Sequence, residues 1–446
     1  MDLVGDAGHP PHVADALAWL RDLVDHEISS VGISAGNIDG LTLEPAQRAL
    51  DALGRPDDGF RIVHVTGTNG KGSVCRMVEA LVGAAGLRVG TYLSPEGTPN
   101  ERIRIDGRPI DDVSLADAIG SVRGVADVLD LQLTAFEAIT LAAIVAFGDA
   151  PVDVAVIEVG LLGRFDATNI IDGDVSVVTT IGGDHTDFAA GWRDRIASEK
   201  AGILKATSQA VLGEIDDDVI AHFTAEGPES LVRLDHDFEC LDDRVALGGR
   251  RAEVTTSRGS RFEVFIPLHG SHQAQNAAVA IEATESVLHA QLDPDVVDAA
   301  FETLRIHGRI EMVSADPVVV VDGAHNPDAA GALGRTLSES FVIAGRRVAV
   351  IGMLQGRDPL AFLSALNDEY PIDLVIGCSL PAPRGAPGSA VAAAAAQLGI
   401  PAVQSDDIAS GVSRALDQSD EADLIVVTGS FRVVDDATAV VRRRTR

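Results

Sequence analysis

The sequence predicts an α/β protein built as two successive strand–helix series, and three observations carry that prediction. Short β-branched runs alternate with Ala/Leu-rich stretches of helical period along most of the 446 residues. The β-branched runs are almost continuously apolar, as strands buried on both faces of a parallel sheet are. Several of them run straight into glycine-bearing turns, where α/β proteins place ligands.

In chain order, RIVHVTG (61–67) reads as a buried strand and VCRMVEALVGAAG (74–86) as a helix that stops at a glycine, with the helix beginning near Ser73. LRVGTYLSP (87–95) is a second strand. TAFEAITLAAIVAFGDA (134–150) has helical apolar spacing, and VDVAVIEVG (152–160) and DVSVVTTIG (174–182) follow as strands. Between 230 and 268 the pattern shortens to alternating segments, which predicts a small antiparallel patch ahead of a helix over 271–290. A second strand–turn series begins near 317, with VVVVDGAHN, RRVAVIGML, DLVIGCS and ADLIVVTGS as its strands. The boundary falls near 305–316, which divides the chain into domains 1–306 and 307–446. No internal repeat is visible beyond the βα alternation.

Composition excludes several classes. No run of about 18 uncharged apolar residues exists to span a membrane. The acidic N-terminus is unlike a basic signal segment, so the expected location is cytoplasmic. The formal net charge is −32, from 67 acidic and 35 basic side chains; such a surface repels nucleic acid and anionic membranes. The three cysteines, Cys75, Cys240 and Cys378, are far apart and read as small buried hydrophobes rather than a disulfide framework. Only three basic residues are lysine (Lys71, Lys200 and Lys205), and the first two fall inside motifs.

HVTGTNGKGSV (64–74) joins a strand to a helix through a glycine-rich turn. Gly67, Gly70 and Gly72 allow the backbone to approach a phosphate closely. Lys71 adds a point charge, and the Ser73 hydroxyl can ligate Mg²⁺. The spacing is not the ordinary Walker pattern: a glycine separates Lys71 from Ser73, and Val65 stands where the first glycine would be. In VIEVGLLGRFDATN (156–169), Glu158 ends an apolar strand, where a buried carboxylate suggests a cation, the alternative being a pair with Arg164 or a turn cap. TTIGGDHTDF (179–188) ends another strand with Asp184 and His185, read as metal ligands. IASEKAGILK (196–205) carries Lys200 in a helix; an ammonium beside a metal site needs something to neutralise it.

These motifs, in this order, resemble the folylpolyglutamate synthase/dihydrofolate synthase family of the Mur ligase superfamily. HGSHQAQNAAVAIEA (269–283), HGRIE (307–311), VDGAHNPDA (321–329) and VTGS (427–430) match as well, so the resemblance spans about residues 30–435. It implies a P-loop-type ATPase domain followed by a smaller Rossmann-like glutamate-ligase domain. It implies an ATP-dependent ligase that phosphorylates a folate or pteroate carboxylate and couples the acyl phosphate to L-glutamate. Gly67, Thr68, Asn69, Gly70, Lys71, Gly72 and Ser73, with Asn276, Arg309 and Asp322, would bind ATP. Two Mg²⁺ ions would be held by Ser73, Glu158 and His185, with Lys200 matching a lysine that is carbamylated. Ser94, Arg102, His325 and Ser430 would lie on the glutamate and folate side. Lys71, Glu158, His185 and Lys200 are the expected catalytic set, and the resemblance implies a monomer.

Some positions depart from the family pattern. Glu96 stands where an aromatic residue is usual, Leu162 where glycine is, Gly183 where a bulky apolar residue is, and His307 where proline precedes Gly-Arg. Glu96 keeps open a Mur-type ligase acting on a non-folate carboxylate. A non-catalytic nucleotide-binding regulator is the third reading, opposed by the retained Lys71, Ser73, Glu158, His185 and Lys200.

Overall fold

The computed structural model describes residues 10–24, 42–93, 98–184, 186 and 188–444. The chain forms two compact units. The first comprises Met1–Asp242, Ala252–Phe265 and Gln275–Leu304; the second comprises Asp243–Arg251, Ile266–Ala274 and Arg305–Arg446. Two short segments upstream of residue 305 thus belong to the second unit.

The first unit is built on an eight-stranded sheet. Its strands are β1 (Arg61–Thr66), β2 (Val89–Tyr92), β3 (Ile103–Ile105), β4 (Arg108–Pro109), β5 (Val154–Glu158), β6 (Val175–Thr180), β7 (Gln209–Glu214) and β8 (Ser230–Arg233), in the order β4-β3-β2-β5-β1-β6-β7-β8. From β2 to β8 every pairing is parallel; β3 and β4 add an antiparallel edge. Its helices are α1 (Pro11–Asp22), α2 (Glu44–Ala52), α3 (Lys71–Ala84), α4 (Pro99–Arg102), α5 (Asp112–Leu129), α6 (Ala135–Asp149), α7 (Trp192–Ala201), α8 (Ile220–Ala225), α9 (Ser271–Leu288) and α10 (Pro294–Thr303). Helix α6 is apolar almost all round because it is buried on most sides, and Thr134 and Glu137 close its first turn as a reciprocal capping box.

The chain leaving β1 passes to β2 on one side of the sheet, and that leaving β6 passes to β7 on the other. The crevice at the C-terminal ends of β1 and β6 is therefore a topological switch point.

One expectation is corrected here. The segment at 230–233 is not part of the antiparallel patch, since it extends the main sheet parallel to β7. Only β9 (Glu239–Ala246), β10 (Gly249–Thr255) and β11 (Arg261–Ile266) stand apart, as a three-stranded sheet in the order β11-β10-β9. The turn after β10 is held by two buried carboxylates of α9. Glu285 accepts from the Thr256 and Ser260 hydroxyls at 2.7 and 2.6 Å, and Glu282 accepts from the Ser257 backbone N–H at 2.9 Å. The same helix carries Asn276, so these bonds fix its placement within the first unit.

The second unit has a six-stranded sheet, β12 (Glu311–Ala315), β13 (Val318–Val321), β14 (Arg347–Gly352), β15 (Leu374–Cys378), β16 (Ala402–Ser405) and β17 (Leu424–Thr428), ordered β12-β13-β17-β14-β15-β16. All pairings are parallel except β12 with β13. Helices α11 (Pro327–Ser340), α12 (Pro359–Glu369), α13 (Gly388–Gln397), α14 (Ile408–Gln418) and α15 (Arg432–Arg444) cover it. Val320, Ala349 and Ile351 pack into one core and Val319, Val321, Val348 and Val350 into another, so both faces are buried. This is the physical reason for the uninterrupted valine runs.

Among the described residues no helix is long and apolar enough to cross a membrane. None of the three cysteines forms a disulfide among the described residues, and Cys240 is only half-buried, contrary to the expectation of three buried ones. The charge excess gives a direct prediction. Raising KCl from about 0.1 to about 1 M screens self-repulsion and should raise the melting temperature by about 5 °C. A melting temperature that falls or stays put would show that the acidic surface does not strain the fold.

Candidate functional site

The glycine-rich loop between β1 and α3 is shaped by what surrounds it. Gly67 has φ +149°, and a Cβ there would fall 1.8 Å from Thr179 Oγ1. Gly70 has φ +87°, and its Cβ would meet the Asn276 side chain at 2.6 Å. Neither position admits another residue without displacement. Gly70 serves as the N-cap, so the helix begins at Lys71 rather than near Ser73. The loop is laced to the end of β6. Thr68 N–H donates to Thr180 O at 2.9 Å, Asn69 N–H to Thr180 Oγ1 at 3.0 Å, and Thr179 Oγ1 to Asn69 O at 2.6 Å. Those two loop N–H groups are thus committed. The donors left for an anion are the first-turn N–H groups of Lys71, Gly72 and Ser73, which a helix start leaves without intrahelical acceptors.

Lys71 Nζ donates to Gly67 O at 3.1 Å, and Lys200 Nζ, from the last turn of α7, donates to the same oxygen at 2.8 Å. Lys200 is buried. Its pKa is brought down to about 7, first by burial and then by the Lys71 ammonium, with Asp184 and Asp166 pulling the other way. Two ammoniums on one carbonyl are costly in a dry site, and this proximity adds to burial in lowering the Lys200 pKa.

Glycines also bring the next loop onto α7. A Cβ at Gly163 would lie 2.7 Å from Glu199 O, and one at Gly202 would lie 2.5 Å from Arg164 Cβ. Arg164 N–H donates to Glu199 O at 2.8 Å, and the Asn169 amide donates to Arg164 O and Gly202 O at 2.9 and 3.1 Å. Asp166, buried and raised in pKa by that burial, accepts from Leu161 N–H at 2.7 Å and Thr168 Oγ1 at 2.6 Å. The EVG…GR.DATN segment is therefore the frame that holds Lys200. Arg164 pairs with Glu226 and donates to Ser198 O, so the Glu158–Arg164 alternative is not the pairing this arginine makes.

Glu158 ends β5 in register with Val65 and is buried. The Cys75 thiol is raised well above its ordinary range, first by burial and then by the Glu158 carboxylate, while Lys71 acts in the opposite sense. Glu158, Lys71 and α3 therefore share one electrostatic neighbourhood. Ser73 Oγ is buried and has no hydrogen-bond partner among the described residues. An orphaned buried hydroxyl at the start of α3 and a buried carboxylate at the end of the adjacent β5 are hard-oxygen donors of the kind that suit Mg²⁺. No cluster of three His, Cys, Asp or Glu suited to a metal occurs among the described residues; His185, and likewise Ser94 and Glu96, lie outside them. Asp184 is described, its N–H donating to Gly182 O at 3.0 Å. Arg102 is buried at the end of α4.

In the second unit the predicted residues gather at the adjoining ends of β13 and β17. Asp322, buried and raised in pKa by that burial, accepts from Ile310 N–H at 2.9 Å and Ala324 N–H at 2.8 Å. Its own N–H donates to Val427 O at 3.0 Å, and Gly429 N–H donates to Ala324 O at 3.0 Å. His325 Nδ1 lies 2.9 Å from Gly323 O, and Ser430 is buried before α15. The Arg309 guanidinium stacks 3.8 Å above the Phe431 ring. Gly323 makes room for that ring, since a Cβ there would lie 2.2 Å from it. Phe431, Thr179 and Thr180 were not singled out from the sequence. The polar pair TT at a strand end was the available signal for the last two, and nothing local marked Phe431.

Residues 65–284 match the Mur ligase middle domain, and residues 308–431 match the Mur ligase, glutamate ligase domain. Over 373 residues the chain is 37% identical to the dihydrofolate synthase/folylpolyglutamate synthase of Mycobacterium tuberculosis, covering 78% of this chain and 76% of that protein. It superposes on a crystal structure of M. tuberculosis folylpolyglutamate synthase complexed with ADP and AMPPCP at TM-score 0.86 and 32% identity, over 96% of this chain and 99% of that one. A bifunctional folylpolyglutamate synthase/dihydrofolate synthase with Mn, AMPPNP and L-glutamate bound matches at TM-score 0.81 and 31% identity, over 99% of this chain and 100% of that one.

Proposed function

Because the chain belongs to the dihydrofolate synthase/folylpolyglutamate synthase family of Mur ligases, we propose a residue-level account of how it joins L-glutamate to a folate. It is an ATP-dependent ligase that uses a divalent metal ion. The convergence of Lys71 and Lys200 on the carbonyl of Gly67 is the observation that carries the assignment of roles.

A carboxylate cannot be aminated directly at neutral pH, because oxide is too poor a leaving group. Phosphorylation turns that oxygen into a phosphate, which leaves readily. The first-turn N–H groups of α3 bind the nucleotide's phosphates, and Lys71 offsets charge on the transferring group. Asn276, Arg309 and Asp322 contact the nucleotide. Ser73 and Glu158 would hold one Mg²⁺, and Glu158, His185 and a carbamate on Lys200 would hold a second. Bound metal supplies charge neutralisation on the phosphates. Lys200 is suited to carbamylation because burial and Lys71 bring its pKa down to about 7, so that a substantial fraction of its amine is neutral near pH 7 and can attack CO₂, and the resulting anion removes its conflict with Lys71. Arg102, His325 and Ser430, with Ser94, hold glutamate and the folate tail while the amine attacks the acyl phosphate. Residues 1–306 form the ATP-binding part and 307–446 the glutamate-ligase part. We place the enzyme in the cytoplasm as a monomer.

The test is to supply purified protein with ATP, Mg²⁺ and labelled glutamate, first with dihydropteroate and then with tetrahydrofolate. Amide product and ADP are expected in equal amounts with at least one acceptor. ATP hydrolysis without product from either would overturn the folate assignment and favour another carboxylate, in keeping with Glu96.

A further inference from the structure

His307 stands directly ahead of Gly308 and Arg309. Both of its ring nitrogens face carboxylates. Nδ1 lies 2.6 Å from Glu311 Oε2, at the start of β12, and Nε2 lies 3.0 Å from Asp435 Oδ1, in the first turn of α15. An ionised carboxylate only accepts, so both nitrogens must carry protons and the ring is an imidazolium. Hydrogen bonding to Asp435 and Glu311 pushes its pKa up to about 10, against the effect of burial. Both carboxyls are held below their usual values, mainly by the same contacts, with Arg442 adding to the effect on Glu311. In sign, a raised histidine stabilises the fold fully below its ordinary pKa of about 6.5, and that contribution is lost as pH climbs towards 10. The charge is therefore in place across the neutral range.

The turn so clamped is one that its own sequence resists. Gly308 has φ +66°, and a Cβ there would sit 3.1 Å from both Phe431 and Val434. Ile310, a β-branched residue, has φ +48°. The turn is held by Glu311 Oε2 accepting from Gly308 N–H at 3.0 Å, by Gly323 N–H donating to Gly308 O at 2.9 Å, and by Asp322 accepting from Ile310 N–H. Arg309 lies between the two left-handed residues, stacked on Phe431, which immediately precedes the helix that carries Asp435. A proline at 307 would restrict the turn covalently through its fixed φ; here an ionic bridge spans it instead.

We propose that His307 is a positioning residue: as an imidazolium bridging Glu311 and Asp435, it staples the turn of residues 307–310 to the head of α15 and so sets Arg309 on Phe431 for nucleotide binding. This rests on the reading of Arg309 as a nucleotide contact. Exposed pairs of this kind contribute little to global stability, since His307 and Asp435 both reach solvent. The effect belongs in nucleotide affinity, where a small misplacement of a binding group is expensive.

Isothermal titration of the full-length protein with ADP and Mg²⁺ tests this, alongside steady-state kinetics. His307→Ala is expected to weaken ADP binding and raise KM for ATP by about tenfold, leaving kcat at saturating ATP within about twofold. His307→Pro should restore affinity to within about threefold of the parent by supplying the covalent restraint. Asp435→Asn, which removes the negative charge of one arm, should show the same defect in smaller measure and serves if His307→Ala folds poorly. A double-mutant cycle separates the two layers of the argument: Arg309→Ala should lose affinity, and adding His307→Ala to it should cost no more than about a further twofold. Unchanged ADP affinity in both His307→Ala and Asp435→Asn, or fully additive losses in the cycle, would overturn the positioning role. Parent-like affinity in Arg309→Ala would instead overturn the nucleotide-contact reading of that arginine.

Discussion

Lys200→Ala is expected to lower kcat by at least about a thousandfold, since it removes one of the two ammonium partners of the Gly67 carbonyl and, on the proposed mechanism, the amine that becomes a metal-binding carbamate. Short carboxylic acids such as acetate, added at high concentration, should restore part of the activity by occupying the vacated space as an anion. Depleting CO₂ and bicarbonate should slow the parent enzyme and leave the acid-rescued variant unaffected. If the alanine variant keeps parental turnover, or if the parent is indifferent to CO₂ while no acid rescues the variant, the carbamate role is wrong. The same residue should show a cost in the metal-free, CO₂-free protein. A lysine whose folded pKa is lowered to about 7 destabilises the fold fully below that pH, and the penalty fades as pH rises towards the ordinary 10.5. Lys200→Met should therefore melt higher than the parent at pH 6, by a margin that shrinks by pH 10. Stability and activity pull in opposite directions at this position.

Gly67→Ala carries the second large effect. Even one methyl group there would fall 1.8 Å from Thr179 Oγ1, at a φ of +149° that side chains rarely adopt. The loop must move, and with it the Gly67 oxygen that receives both lysines and the turn that starts α3. Affinity for ADP should fall by at least about a hundredfold while the melting temperature drops by only a few degrees, because the loop lies outside the hydrophobic core. Pairing it with Thr179→Ala removes the clashing oxygen but not the backbone strain, so part of the affinity, not all, should return. Normal ADP binding by Gly67→Ala would show that the loop does not cradle the phosphates.

Much of this architecture is legible in the sequence. The valine runs at 318–321 and 424–428 predict strands buried on both faces because no polar residue interrupts them, and two separate cores do cover that sheet. TGTNGKGS announces its turn through glycines whose backbone angles other residues resist. β8 was harder to place. SLVR has no periodicity that distinguishes an edge strand of a large parallel sheet from a member of a small patch, and only its pairing with β7 decides. The start of α3 was misplaced by two residues because Gly70, through its left-handed angle, acts as the cap.

At the site, local sequence determined the chemical inventory: a glycine-rich turn, Lys71, Ser73, a strand-end Glu158, and Lys200 as one of only three lysines. Residue types and their neighbours along the chain suffice for that, because backbone freedom and side-chain charge are local properties. What only the tertiary structure decided was long-range. Lys200 and Lys71 meet on one carbonyl although they are 129 positions apart, and the Lys200 pKa follows from that meeting and from burial. The loop is laced to Thr179 and Thr180, Arg309 lies on Phe431, and His307 sits between the carboxylates of Glu311 and Asp435. Each depends on which strand ends the sheet order places side by side, and electrostatic energy depends on distance in space and on exclusion of water, neither of which is written in sequence separation.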